Sequence, residues 1–452
     1  MKKIILSLVT VIVSLLFWKQ DLFAYTTQDE EISSCLEEFR DSTKCKNVSI
    51  VIYDNGEVTY LGDPDGLYQI GSMTKAFTGL AVQKLIKEGK IDEQTRVDEV
   101  FPGFIAYYDS EPEKITVNHL LHQTSGFTNN ETLYPSGTPE MTLADWVLSI
   151  SGKELESKPG EKYTYSNVNY NLLGAMIEKV TGISYKDYME NEILKPLGLK
   201  HTYVGRPENG KMIVEGSRLG YRNTYEYSVP VSDSKIPAGY FYSNVSDMGR
   251  WIQIWLGSAD IPNEYEDMIC CVKEQLINEG DYYSGWQRFE ADQIGHSGGT
   301  PNYTSRAVFS DSRKIGVCVL TDLNVASSTD SLCNGIVSVI SGSSPGGIKE
   351  DVWTIFDRIF TVVTIIGILL MIVGIYCKSK RVYILCGAIT GGILAALCIV
   401  LPLIFGSGLG QILFVWAPYS LAGGMLVLLF DALIFGILAC RIKRECGLKK
   451  DR

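Results

Sequence analysis

Histidine is scarce in this 452-residue chain, which contains four. The chain has no Cys-x-x-Cys pair, and no group of histidines and cysteines has the spacing that holds a structural zinc ion. No segment repeats itself along the chain. We therefore expect no metal site, no cofactor and no repeat architecture.

Basic residues are few in the central part of the chain. Residues 25–350 carry 28 Lys or Arg against 46 Asp or Glu, a net charge of −18. A surface this acidic excludes nucleic acid as a partner and argues against a basic patch that lies on anionic lipid.

A short apolar segment lies at the N-terminus. Lys2 and Lys3 precede an apolar run from Ile4 to Trp18, and a small residue, Ala24, ends the segment. This pattern predicts a signal peptide over residues 1–24 that is removed after Ala24. The alternative interpretation is an uncleaved membrane anchor.

Three apolar segments at the C-terminus are each long enough to cross a bilayer as a helix. Lys and Arg cluster in the loop between the first two segments and in the tail 443–452, which places both on the cytoplasmic side. Residues 25–350 then lie outside the cytoplasm, and the predicted location is the cell membrane, with the bilayer as a partner. Asp431 falls in the third segment, and we expect it to face inward because an acid exposed to lipid is costly. The three predicted spans, together residues 359–442, are Ile359–Cys377, Val382–Phe405 and the run between Ile412 and Cys440.

The order of predicted helices and strands indicates an α/β (α+β) fold for residues 25–340. Two β-rich runs, Val48–Tyr53 and Glu57–Leu61, flank an Asn-Gly turn and predict a hairpin. Residues 91–235 have mostly helical patterns, and strands return from Tyr282. We expect one antiparallel sheet built from both ends of the domain, flanked by helices, with a helical lobe and a cleft between them. Residues 341–358 read as a flexible linker.

Two pairs of cysteines lie close enough for local disulfides. Cys35 could bond to Cys45, and Cys318 could bond to Cys333, but the sequence leaves the connectivity open.

Ser72 and Lys75 form the pattern Ser-x-x-Lys at the start of a helical run. This spacing puts a hydroxyl and an amine on one helix face, where the amine can activate the hydroxyl as a nucleophile. The helix N-terminus adds backbone N–H groups where negative charge would develop on an attacked carbonyl. Ser232 and Lys235 match the same pattern, but they lie between two prolines with no helical run to align them.

Tyr165 and Asn167 lie just before a predicted helix. A tyrosine beside a lysine ammonium can have its phenol pKa lowered and can carry a proton between nucleophile and leaving group. Tyr221 and Tyr242 are each also followed by Asn two residues later, so the motif alone does not decide.

The third element is His296-Ser297-Gly298-Gly299 in the strand region. Glycines here would let a substrate backbone approach a strand closely, and the Gly299 N–H could face the Ser72 N–H to complete an oxyanion hole.

In this order and spacing, the three elements resemble the serine β-lactamase and penicillin-binding protein superfamily, in the branch of class C β-lactamases, DD-carboxypeptidases, D-aminopeptidases and related esterases. The resemblance covers about residues 30 to 340 and includes flanking words such as Leu120–Phe127 and Pro237-Ala238-Gly239. It implies a β-lactamase-like fold with Ser72 as the nucleophile that forms an acyl-enzyme. It also implies Lys75 as its activating partner and Tyr165 as general base and acid. Asn167, His296, Ser297, Gly298 and Gly299 would bind and orient the substrate.

The chain departs from the β-lactamases at the third element, where they usually carry lysine and this chain has His296. A histidine is largely neutral at pH 7, so it offers a substrate carboxylate less charge than lysine. This favours a peptidase, amidase or esterase over a β-lactamase. The three spans are similar in architecture to those of membrane-anchored peptidases that activate natural-product prodrugs by removing an N-acyl-D-amino acid.

We therefore expect a membrane-anchored extracytoplasmic serine hydrolase that acts on a small peptide or amide containing a D-amino acid. The second hypothesis is a β-lactamase or a penicillin-binding carboxypeptidase or esterase. A non-catalytic cell-wall or ligand sensor is the third. The sequence does not decide the substrate, the oligomeric state or whether Lys75 or Tyr165 takes the first proton.

Overall fold

The computed structural model describes residues 28–128, 141–208, 212–278, 280–290, 292–377 and 379–448. The predicted signal peptide, residues 1–24, lies outside this part of the chain, as does the end of the predicted cytoplasmic tail.

A seven-stranded antiparallel sheet forms the centre of the domain that precedes the three C-terminal apolar helices, in the order β10-β11-β12-β13-β14-β1-β2. The predicted hairpin is confirmed, and its turn residues Asn55 and Gly56 have φ angles of +47° and +103°. Strand β1 pairs with β14 along its whole length, so both ends of the domain meet in one sheet as predicted. The sheet strands are β1 (Val48–Asp54), β2 (Glu57–Leu61), β10 (Tyr282–Tyr283), β11 (Trp286–Glu290), β12 (Gln293–Thr300), β13 (Tyr303–Ser310) and β14 (Ile315–Thr321).

The chain between β2 and β10 forms the helical lobe and three small sheets. Two small sheets matter below: β3 with β9, which lies beside the serine, and the hairpin of β7 and β8. The strands are β3 (Tyr68–Gln69), β4 (Ala106–Tyr108), β5 (Glu111–Glu113), β6 (Lys153–Glu154), β7 (Ser217–Gly220), β8 (Asn223–Glu226) and β9 (Tyr242–Ser243). The helices of the domain are α1 (residues 28–43), α2 (Thr74–Lys87), α3 (Val97–Val100), α4 (Val117–Leu121), α5 (Leu143–Ser149), α6 (Asn167–Thr181), α7 (Tyr185–Met189), α8 (Ile236–Gly239), α9 (Val245–Trp255), α10 (Asn263–Asn278) and α11 (Ala326–Ile340).

Helix α2 is the centre of the core and carries the Ser-x-x-Lys element at its start. Its residues from Thr74 to Leu85 are all buried, so it is enclosed on every side rather than on one stripe. Phe77 stacks on Trp251 of α9, with ring centroids 4.2 Å apart. Gly79 lets the turn between β10 and β11 approach, because a Cβ on Gly79 would lie 2.2 Å from the carbonyl oxygen of Ser284. This packing holds α2 rigidly between the sheet and the helical lobe.

Three C-terminal helices are long and apolar enough to cross a membrane. They are α12 (Val352–Tyr376), α13 (Lys380–Phe405) and α15 (Tyr419–Leu448), with the short α14 (Leu409–Gln411) and a π-helical turn (Ile412–Trp416) between the last two. Asp431 is 0% exposed and packs against Gly367 of α12, which confirms its inward placement.

Two of these helices begin well away from the predicted starts of their spans, and the last extends to Leu448, beyond the predicted end at Cys440. Helix α12 begins at Val352, inside the segment predicted as a linker, because Asp351 caps it by accepting a hydrogen bond from Trp353 N at 2.9 Å. The preceding residues are attached to α11, since Ser328 Oγ donates to the Lys349 carbonyl at 2.8 Å. The third long helix begins at Tyr419 rather than near Ile412, because the chain is extended at Ala417 before Pro418.

All four cysteines considered for disulfides have free thiols in the structure. The Cys45 thiol donates instead to Asp322 Oδ1 at 3.0 Å, and burial raises its pKa. Cys318 on β14 and Cys333 on α11 are buried apolar packing residues.

Candidate active site

Ser72 and Lys75 are hydrogen-bonded to each other at the start of α2. Ser72 lies in a 3-10 turn, Gly71–Met73, that leads into the helix, and its Oγ is 2.9 Å from Lys75 Nζ. The same nitrogen donates to Asn167 Oδ1 at 2.7 Å and to the Ala238 carbonyl at 2.6 Å. The lysine therefore has three oxygen neighbours in a site where it is 0% exposed.

All three partners of Lys75 are oxygens that can accept from it: Nζ donates to Ser72 Oγ, to Asn167 Oδ1 and to the Ala238 carbonyl. This geometry accommodates an ammonium ion with three N–H groups. It also accommodates a neutral amine, whose two N–H groups would go to Asn167 and Ala238 and whose lone pair would face the Ser72 hydroxyl. Burial lowers the pKa of Lys75 well below its usual value, which favours the neutral amine.

The second Ser-x-x-Lys element lies in a different local structure. Ser232 Oγ is 2.9 Å from Ser234 Oγ, and its pattern falls on a 3-10 turn, Asp233–Lys235, rather than on a long helix. The structure thus separates the two candidates as the sequence context predicts.

Tyr165 and Asn167 are brought to Ser72 by the N-terminus of α6. Ser166 caps this helix by accepting from Val168 N, and its own N–H donates to Gln123 Oε1 at 2.9 Å. Tyr165 shares a hydrogen bond with the Ser72 side chain, and its ring lies 4.9 Å from Lys75 Nζ. The rival tyrosine Tyr242 lies in β9 and bonds to Gln69 Nε2 instead.

The expected lowering of the Tyr165 pKa is wrong. Burial raises the pKa of the Tyr165 phenol, and the hydrogen bond with Ser72 offsets this only in part. The physical reason is that Lys75 is itself buried and favours the neutral amine, so it supplies little positive charge to stabilise a phenolate.

His296 lies in β12, buried at 5% exposure. Its Nδ1 is 2.6 Å from the Ser297 carbonyl, so Nδ1 carries the proton and donates. Its Nε2 is 3.2 Å from the Tyr282 hydroxyl and accepts from it. The pKa of His296 is lowered to about 3, mainly by burial. This imidazole therefore offers no positive charge to a substrate carboxylate.

Ser297 does not place its side chain in the cleft. Its hydroxyl donates to Asp330 Oδ1 of α11 at 2.9 Å and accepts from Arg306 Nη1 at 2.6 Å, on the opposite face of the sheet. The reason is the alternation of side chains along a strand, which sends neighbours of His296 the other way. If Ser297 binds substrate as predicted, only its backbone is available to do so.

Gly298 and Gly299 pack against the segment that carries the serine. A Cβ on Gly298 would lie 2.0 Å from the Ile70 carbonyl oxygen, so only glycine allows this approach. A Cβ on Gly71 would lie 2.5 Å from the Gly299 nitrogen, which places that amide beside the residue before Ser72. A Cβ on Gly299 itself would meet nothing within 4 Å.

A cavity of about 650 Å³ lies in the same domain, but Ser72, Lys75, Tyr165, Asn167 and His296 are not among its lining residues. Gln69, two residues before Gly71, and Tyr240, which follows Gly239, are among them. Charged residues of both signs also line it, including Glu178, Lys186 and Arg206.

Three groups at the site were not named as site residues from the sequence. The Ala238 carbonyl and the Gln123 side chain lie in sequence segments that the family resemblance included. The segments were therefore recognised, but the resemblance assigned no function to these two groups. Tyr282, the partner of His296, has no local sequence signal, because the two residues lie in strands β10 and β12 and come together only when both strands pair with β11.

The sequence model of the Beta-lactamase family matches residues 32–334, and the chain belongs to this family. The fold agrees: a class C beta-lactamase superposes with a TM-score of 0.59 at 16% identity, covering 71% of this chain and 97% of that one. The octameric penicillin-binding protein homologue from Pyrococcus abyssi superposes with a TM-score of 0.57 at 26% identity, covering 73% of this chain and 81% of that one.

Two relatives in sequence extend the comparison. Protein flp of Staphylococcus aureus (strain N315) is 28% identical over 92% of this chain and 91% of its own length. That match covers too much of the chain to be confined to the catalytic domain, so it extends into the C-terminal helices. Penicillin-binding protein 4 of Amycolatopsis lactamdurans is 26% identical over 69% of this chain and 86% of its own length.

Proposed function

We propose that this protein is a membrane-anchored serine hydrolase in which Ser72 forms an acyl-enzyme with a peptide or amide substrate. Lys75 is the base that activates Ser72, and Tyr165 is the proton carrier to the leaving group. Asn167 holds the Lys75 amine, and the Ser72 and Gly299 amides stabilise the oxyanion.

One observation carries the proposal: Lys75 Nζ lies 2.9 Å from Ser72 Oγ and is held there by Asn167 Oδ1 and the Ala238 carbonyl. In the neutral amine those two oxygens take both N–H groups, and the lone pair is directed at the Ser72 hydroxyl. When Ser72 attacks a carbonyl, its proton passes to the Lys75 amine, which becomes an ammonium ion. The neutral Tyr165 phenol donates its proton to the leaving nitrogen and regains one from that ammonium. Water then hydrolyses the acyl-enzyme by the reverse sequence of proton transfers.

Covalent labelling with a fluorescent fluorophosphonate tests the nucleophile. We expect wild type to be labelled, and Ser72→Ala to be unlabelled. Ser232→Ala is the matched control, because it removes the serine of the other Ser-x-x-Lys pattern and should leave labelling unchanged. Equal labelling of wild type and Ser72→Ala would contradict the assignment.

The neutral His296 favours amides and peptides over β-lactams as substrates. A lysine at this position would present a permanent cation to the carboxylate that β-lactams carry, whereas His296 with a pKa of about 3 does not. We propose a substrate with a D-amino acid beside the scissile bond, as the resemblance implies. A matched pair of fluorogenic D-alanyl and L-alanyl amides tests this, and faster hydrolysis of the L form would contradict it.

Two other functions make different predictions. A β-lactamase would hydrolyse a chromogenic cephalosporin with a high kcat/KM, which we do not expect. A sensor would keep full biological activity in the Ser72→Ala variant, whereas a hydrolase would lose it. The bonded Ser72 and Lys75 pair favours the hydrolase, because a sensor has no need of an activated hydroxyl.

We also propose that the catalytic domain lies outside the cytoplasm and that residues 1–24 are a removed signal peptide. The support is that the basic residues are concentrated in the loop between the first two long helices and after the third, on the side of the membrane opposite the catalytic domain. A membrane-impermeant thiol reagent tests the orientation in intact cells. Cys270, exposed on α10, should be labelled without breaking the membrane, and labelling only after lysis would contradict the orientation.

A further inference from the structure

The β7–β8 hairpin joins the catalytic domain to the C-terminal helices. Arg218 of β7 is 4% exposed, and its guanidinium donates to the carbonyls of Leu413, Phe414 and Ala417 in the loop before α15. The rings of Tyr227 and Tyr419, which meet edge to face, both contact it, 5.0 and 4.6 Å from its central carbon. A buried arginine with this many acceptors fixes the loop against the hairpin.

The tip of the hairpin makes a second attachment. Arg222 N donates to Asp357 Oδ2 of α12 at 2.8 Å, and Ser420 Oγ of α15 donates to the other oxygen of Asp357 at 2.7 Å. The Tyr221 hydroxyl fills the space beside Gly423, where a Cβ would lie in contact with it. The hairpin is thus held by two of the three long helices as well as by the loop.

The same hairpin leads to the strand that carries the predicted oxyanion amide. The Tyr227 hydroxyl donates to the Phe414 carbonyl at 2.9 Å, and the Tyr227 carbonyl accepts from Asn302 Nδ2 at 2.7 Å. Asn302, 4% exposed, lies in the turn between β12 and β13, and its Oδ1 accepts from Thr300 Oγ1 at 3.2 Å. Thr300 directly follows Gly299.

The end of β12 needs such support. Its pairing with β11 reaches only Gly295, so the backbone from His296 to Thr300 is paired on one side, by β13. The position of this segment therefore depends on its packing against Ile70 and Gly71 and on contacts of its turn, of which the Asn302 side chain supplies two.

We propose that Tyr227 and Asn302 are positioning residues that link the loop of the helix bundle to the Gly299 amide, so that the bundle is part of the catalytic apparatus. This inference rests on the proposed roles of Ser72 and Gly299. Donors in an oxyanion hole act mainly on the transition state, where displacements well below 1 Å change the rate. Loss of the link should then lower the limiting rate of acylation and leave the affinity for the reagent unchanged.

The experiment measures fluorophosphonate labelling of the full chain in lipid nanodiscs, with kinact and KI determined separately. We expect Tyr227→Phe to lower kinact by about threefold or more, and Asn302→Ala by about tenfold or more, with KI unchanged for Tyr227→Phe. The matched control is Tyr225→Phe, because Tyr225 lies in the same hairpin and packs against Tyr419 with ring centroids 6.0 Å apart. This control should keep the wild-type kinact. Thermal unfolding of each variant checks that the folded fraction at the assay temperature is unchanged.

A double variant separates a link from two independent defects. In the Asn302→Ala background, Tyr227→Phe should change kinact by less than about 1.5-fold, since the connection is already broken. Multiplicative effects of the two substitutions, or an unchanged kinact in both single variants, would overturn the inference while Ser72 labelling still stands. Absence of wild-type labelling would instead refute the proposed function itself.

Discussion

Lys75 Nζ lies 2.7 Å from Asn167 Oδ1, an oxygen that accepts and cannot donate. The contact joins α2 to the first turn of α6 and orients the lysine. When Lys75 is neutral, Asn167 and Ala238 take its two N–H groups, so the lone pair is left for Ser72. The amide of Asn167 therefore affects the chemistry of Lys75 as well as its position.

Asn167→Asp should convert Lys75 from an amine to an ammonium ion. A carboxylate in contact with Nζ stabilises the charged form and raises the pKa of Lys75. The acid limb of the pH profile for Ser72 labelling should then move to higher pH, with the rate at pH 7 reduced about tenfold or more. Asn167→Ala is the control, which should lower the rate without a comparable shift. An acid limb at the same pH in wild type and Asn167→Asp would contradict this account of Lys75.

Gly71→Ala should strongly reduce labelling for a steric reason. Gly71 has a φ of +51°, and a Cβ there would lie 2.5 Å from the Gly299 nitrogen and 2.7 Å from the Gly298 carbonyl carbon. The added methyl group would push β12 away from Ser72 and separate the two proposed oxyanion donors, so we expect labelling to fall about 100-fold or more.

Gly89→Ala is the matched control for this substitution. Gly89 also has a positive φ, +69°, but a Cβ there meets nothing within 4 Å. It should cost about 1 kcal/mol of stability from backbone strain and leave labelling unchanged. If Gly71→Ala keeps its labelling, the close approach of Gly71 and Gly299 has no role in catalysis.

Local sequence patterns predicted the elements whose signals are local. The Asn55-Gly56 turn predicted its hairpin because both residues tolerate a positive φ, and hydropathy predicted the three long helices because length and composition suffice for that. The spacing of Ser72 and Lys75 predicted their contact because both lie on one helical turn.

Features that depend on pairing across the fold were missed. The side chain of Ser297 faces α11 because β12 pairs with β13 in one register, which no local pattern specifies. The pKa directions at Tyr165 and Lys75 depend on burial by distant segments. The junction at Arg218 joins residues 199 positions apart, so a linker between two independent parts was the simplest expectation from sequence.

His296 should make stability depend on pH between about 6.5 and 3. In the unfolded chain the imidazole binds a proton below its usual pKa of 6.5, whereas in the folded protein it does so only near 3. Because the unfolded state binds more protons in this window, this contribution to stability is fully present above pH 6.5 and is lost as the pH falls toward 3. Thermal unfolding measured from pH 7 to pH 4 should show a smaller loss for His296→Gln than for wild type. Equal slopes for the two proteins would show that His296 is not held neutral by the fold.

Asp431 should lower the stability of the helix bundle. Its carboxyl group is 0% exposed beside Gly367, and neither of its oxygens has a hydrogen-bond partner among the residues that the structure describes. A polar group buried without a partner costs about 1–3 kcal/mol, so Asp431→Leu should raise the stability of the protein in nanodiscs by about this amount. Asp357→Leu is the matched control, because both oxygens of Asp357 accept hydrogen bonds, from Arg222 N and Ser420 Oγ, and its loss should destabilise the protein. Unfolding by heat, followed by circular dichroism, checks both changes. A loss of stability in Asp431→Leu equal to that in Asp357→Leu would show that Asp431 has a stabilising partner in the membrane.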